Sequence, residues 1–124
     1  MSASIPILKI GANLLATVQI ELSDTVSDAF QQDVLTTIEK TGASGLVVDI
    51  SALDTVDSYV AGMLANTGKM ARLMGTETVV VGMRPEVAAT LVRMGYMLEG
   101  VNTALSLEEG LAHLARTAAK RQGR

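Results

Sequence analysis

The stretch "SALDTVDSYVAGMLA", Ser51–Ala65, carries the reading of the fold. It follows the short apolar run "LVVDI" (46–50), which has the look of a strand buried on both faces. It contains Asp54 and Asp57, then reaches Ser58, where a helical period begins. Val60, Met63, Leu64, Thr67, Ala71 and Met74 share one face of a helix over 58–74, which Gly75 closes. The stretch is therefore the loop and helix start of a βα unit. Asp57 is a preferred N-cap residue, which places Ser58 at the first helical position with its hydroxyl outward.

The same unit recurs downstream. "ETVVVGM" (77–83) is a second buried strand, and Pro85 opens a helix at its first position. Val87, Leu91 and Met94 line that helix's inner face, and Gly95 ends it. Residues 101–105 predict a short strand. Ser106–Glu109 is an S-x-x-E capping box before a helix with Leu107, Leu111, Leu114 and Ala118 inward. Upstream, Ile5–Ile10 and Leu14–Ile20 predict a hairpin turned at Gly11-Ala12-Asn13, with Pro6 at an edge and Ala16, Val18 and Ile20 on one face. Val26, Phe30, Val34 and Ile38 then mark a helix over 24–40. The order β-β-α-β-α-β-α-β-α predicts an α/β protein. Its mixed, mostly parallel sheet has a hairpin strand inside, right-handed crossovers and helices mainly on one side.

Composition fits that picture. The 124 residues are 48% hydrophobic, enough for one aliphatic core, and a single domain over 1–124 is expected, with its body at about 5–115. There is no cysteine and one histidine, His113, read as a surface residue, so no disulfide framework and no thiolate metal site are expected. No signal peptide or membrane span is read, and the expectation is a cytoplasmic protein. Net charge is −3, and the basic tail 116–124 (Arg116, Lys120, Arg121, Arg124) stands against an acidic body, which gives nucleic-acid binding no support. The tail instead suits the negative end of a last helix.

Candidate chemistry lies beyond the carboxyl ends of the parallel strands, in 51–58 and 82–86. Neither segment carries a phosphate-binding glycine motif. Asp49 and Asp54 could suggest a phosphoacceptor aspartate. That chemistry also wants a lysine after a late strand, and none occurs between Lys69 and Lys120. No cofactor, no metal and no catalytic residue is read. A second expectation, from a different functional class, is a small-ligand pocket between 51–58 and 82–86. Ala61, Ala65 and Gly68 form a small-residue stripe suited to close core packing, and Met83, Met94 and Met97 could form an adaptable contact surface. On residue chemistry alone, Ser58 is an exposed helix-start serine.

With its motif "DTVDSYVAGML" and the later "VVVGMRPEVAATLVRMG", the chain resembles the STAS family, the fold of anti-anti-sigma factors, over about residues 5–115. The opening "IPILKIGANLLATVQIELSD" and the close "ALSLEEGL" resemble the single-domain stressosome scaffolds within it. The resemblance implies a non-enzymatic module in which Ser58 is phosphorylated by a serine protein kinase of the GHKL type and dephosphorylated by a PP2C-type phosphatase. Asp54, Asp57 and Tyr59 would flank the phosphosite for kinase recognition, and Met83 and Arg84 would belong to a partner surface. It further implies a homodimer, and a large assembly with a sensor-bearing STAS paralogue that holds a switch kinase and releases it on phosphorylation. A free anti-anti-sigma factor that binds an anti-sigma kinase directly is the alternative. Tyr59-Val60-Ala61, where such factors often carry a small residue and glycine, favours the scaffold.

Overall fold

The computed structural model describes residues 5–96 and 98–121; the Met97 expectation lies outside them. The elements are β1 (Ile7–Ile10), β2 (Asn13–Thr17), α1 (Asp24–Thr41), β3 (Gly45–Asp49), α2 (Ser58–Leu73), β4 (Glu77–Val81), α3 (Pro85–Arg93), β5 (Asn102–Ala104) and α4 (Leu107–Arg121). They form one five-stranded sheet in the order β1-β2-β3-β4-β5. β1 is antiparallel to β2, and the remaining neighbours run parallel, with Leu14 beside Leu46 and Leu46 beside Thr78. The expected element order, mixed sheet and interior hairpin strand are all present.

Strand alternation divides the core. Leu14, Ala16, Leu46, Val48 and Val80 face α1, α2 and α3, where Phe30, Val34, Leu64 and Val87 pack against them. Val47, Val79 and Val81 face the other way, onto Leu114 of α4. Both faces of β3 and β4 are therefore covered, which is why these strands read as apolar runs without alternation. Leu46, Val47, Val48, Ile50, Val79, Val80 and Val81 are all buried, as their sequence predicts. Gly110 lets α4 sit close to the sheet, because a Cβ there would stand 2.8 Å from Val81 Cγ1. Helices mainly on one side is the observed arrangement, with α4 alone on the other.

Three apolar residues depart from their expected inner positions. Ile20 is 37% exposed, since β2 stops at Thr17 and pairing with β3 stops at Asp49. Met74 and Met94 are 44% and 37% exposed. Each is the C-cap of its helix, so the helical period no longer fixes where its side chain points. The small-residue stripe packs inward: Ala61 is fully buried, and Gly68 admits the backbone of Gly100 at close range. The basic end of α4 remains helical to Arg121, whose Nη1 donates to the carbonyl of Gly75 at 3.1 Å. It thus reaches the C-terminal end of α2 and also puts Lys120 and Arg121 in the last turn of its own helix, as expected. His113 is half-buried on α4 against Thr117.

Candidate functional site

The site is the junction between β3 and α2, and its loop is pinned along its length. Asp49 Oδ1 accepts from the Ser51 N–H at 2.9 Å, and Ile50 N–H donates to Val81 O at 3.0 Å. Leu53 and Val56 are buried anchors that leave Asp54, Thr55, Asp57 and Ser58 on the outside. Arg84, at the start of α3, donates from Nε to the Ser51 carbonyl at 2.9 Å. Such a loop holds its exposed groups in a fixed place without a glycine-rich or flexible segment.

Asp57 is the N-cap of α2, with extended backbone and a carboxylate accepting the Val60 N–H at 2.9 Å. The Val60 amide is thereby satisfied. Ser58, the first helical residue, is exposed, and its hydroxyl makes no hydrogen bond among the described residues. Tyr59 follows, with its phenol donating to Asp28 Oδ1 of α1 at 2.5 Å. That hydrogen bond, with the negative charges of Asp28 and Asp24, raises the tyrosine's pKa above its usual value. Asp28, Gln31, Ser58, Tyr59 and Asn66 line a cleft of about 280 Å³. A second cleft, of about 230 Å³, runs from Thr55 and Asp57 towards Glu21 and Leu22.

The structure thus brings Asp57, Ser58 and Tyr59 together at one helix start. Asp54 stands exposed in the same loop, and its side chain makes no hydrogen bond or ion pair among the described residues. Met83 is half-buried against the core, and Arg84 is exposed but commits its Nε to the loop. The segments expected to flank a pocket, 51–58 and 82–86, touch at Ser51. Arg84 ties the segments together, and Gly82, at φ +77, lies so close that a Cβ there would be 2.8 Å from Ser51 Cβ. Asp28 went unread in the sequence because it meets Tyr59 from 31 positions away.

Chemically, the arrangement offers an accessible hydroxyl on a rigid mount. A serine acting as a nucleophile needs an adjacent base. His113 sits on α4, across the sheet from Ser58. Asp57 beside it, Asp28 in the same cleft and the amides of the helix start make Ser58 a place where added charge is felt.

The STAS domain family model matches residues 4–110. The chain belongs to the STAS family. This STAS domain is similar to RsbS of Moorella thermoacetica, solved as an S58E variant. The two share 36% identity at a TM-score of 0.82, covering 94% of this chain and 99% of that one. A chain from a structure described as the molecular architecture of the stressosome, a signal integration and transduction hub, is 37% identical, with a TM-score of 0.75. That match covers 91% of this STAS domain and 98% of the other chain. The RsbT co-antagonist protein RsbRA of Bacillus subtilis is 27% identical over 109 residues, which is 87% of this chain. The STAS domain spans 25–40% of the length of the RsbT co-antagonist proteins it matches. Among the described residues, no helix is long and apolar enough to cross a membrane.

Proposed function

We propose that this STAS domain is a non-enzymatic scaffold of a stressosome-type assembly, switched by phosphorylation of Ser58. The observation that carries the reading is the division of labour at α2: Asp57 caps the helix, which leaves the Ser58 hydroxyl exposed and unbonded. The near end-to-end similarity to RsbS and to a stressosome chain supports the assembly. The relative's S58E variant places a carboxylate at a serine of that protein, the same kind of charge change.

In this mechanism the unmodified surface holds a GHKL-type serine kinase in the cytoplasm. The kinase transfers phosphate to Ser58, adding about −1.5 to −2 charge and three acceptor oxygens. The Ser58 and Tyr59 amides at the helix start offset part of that charge, while Asp54, Asp57 and Asp28 oppose it. The fold stays put and the surface becomes an acidic knob that no longer fits the kinase. A PP2C-type phosphatase restores the holding state. Homodimers and a sensor-bearing STAS paralogue build the larger particle.

The test is phosphorylation by a GHKL-type kinase followed by mass spectrometry, with light scattering of the mixture with a sensor-bearing paralogue. Wild type should gain one phosphate and Ser58→Ala none, and both should enter large particles. Phosphate on Ser58→Ala, or a strictly monomeric mixture, overturns the reading.

A further inference from the structure

The sheet has two outer edges, β1 and β5, and they differ in chemistry. At the β1 edge, Pro6 precedes the strand and Lys9 is exposed within it, the residue types that keep edge strands from pairing with other chains. β5 pairs with β4 alone and reads Asn102-Thr103-Ala104, followed by Leu105, with neither charge nor proline. The Ala104 carbonyl accepts from the Gly82 N–H at 3.4 Å. N–H and C=O of one strand residue point the same way, and successive residues alternate. Thr103 therefore turns both its backbone groups to the open side.

The two flanks of that edge differ in chemistry. On the α3 side, an apolar trough of about 200 Å³ is lined by Met83, Leu91, Val92, Tyr96, Leu98 and Thr103. Val92 is 71% exposed there, and Leu105, just past the strand, is 82% exposed. On the α4 side, a cleft of about 310 Å³ holds Ala104, Glu109, His113 and Arg116. Arg116 begins the basic end of α4 in an otherwise acidic protein and makes no ion pair among the described residues.

We infer that β5 is a docking edge for an extended strand of a partner polypeptide, with apolar residues alternating with acidic ones. The main chain would pair with Thr103. One set of side chains would fill the apolar trough, and the other would present carboxylates to Arg116, since successive strand residues point to opposite faces. This surface is separate from Ser58 and does not rest on its modification.

The test uses the full chain and a synthetic peptide of about eight alternating valines and glutamates, followed by NMR titration and amide exchange. The control peptide has the same composition in two blocks. The alternating peptide should bind, shift resonances at 101–105 and 88–92, and slow exchange of the Thr103 amide. Val92→Glu should weaken it about tenfold, and Arg116→Glu should switch preference to a valine–lysine peptide. Equal binding of the block peptide, or shifts confined to other surfaces, overturns the proposal. So does a dimer that Val92→Glu dissolves while no peptide binds, because a second copy would then fill the edge.

Discussion

α2 and α3 start side by side at the carboxyl ends of β3 and β4, and their starts are built to opposite ends. α3 begins after a short turn, with Pro85 at its first position, no side-chain cap, and Arg84 folded back onto Ser51. Its Arg84 Nε is spent in holding the neighbouring loop. α2 begins after the longer 50–57 segment, capped by Asp57 and followed by a Ser58 whose hydroxyl is unbonded among the described residues. One junction is a brace and the other is the platform it steadies. Under the proposed function, the group to be modified stands on the second.

The largest effect should come from charging the platform. Stoichiometric phosphorylation of Ser58 should weaken kinase binding about 100-fold, given the several kcal/mol that like charges cost when brought together. Calorimetry with the purified kinase measures it, and circular dichroism should be unchanged. Equal affinities would reduce α2's start to an ordinary helix end. Next comes the brace: Gly82→Val places a side chain against Ser51 at a left-handed φ. It should lower stability by about 1–3 kcal/mol in urea unfolding. Asp57→Ala should cost about 1 kcal/mol through the lost cap, and Ser58→Ala a few tenths at most. The reverse order would break the assigned division of labour.

Arg84→Met should change global stability by less than about 1 kcal/mol, an exposed hydrogen bond being worth little. It should still speed amide exchange across 51–56, because the Ser51 tether is gone. The smallest effect concerns Tyr59. Its folded pKa is raised above the ordinary tyrosine value of 10.0 by the bond to Asp28. A group with a raised folded pKa stabilises the fold below its unfolded pKa and loses that contribution as pH rises through the folded one. The contribution should therefore fade above about pH 10, and Asp28→Asn should bring the Tyr59 phenolate transition down, read by ultraviolet absorbance.

The legible parts of the molecule were those governed by neighbours in sequence. β3 and β4 announced themselves because burial on both faces leaves the apolar runs Leu46–Val48 and Val79–Val81, and Asp57 announced its cap because capping reaches only three positions, to Val60. Residues at element ends were misread where a period was carried one step too far, as with Ile20, Met74 and Met94. What could not be read was contact across the fold. Asp28 with Tyr59 and Arg84 with Ser51 depend on how α1 and α3 lie against the loop, and no local spacing encodes that.

The lone position of α4 also bears on how the chain is made. Among the described residues, α4 is the helix that covers Val47, Val79 and Val81, through Leu114 and the close seat at Gly110. During synthesis every strand precedes that helix. At about 5–20 residues per second, the ribosome needs about one to three seconds to add it. Any form of the chain in which α4 has not docked carries a bare, valine-rich side, a surface open to other apolar chains.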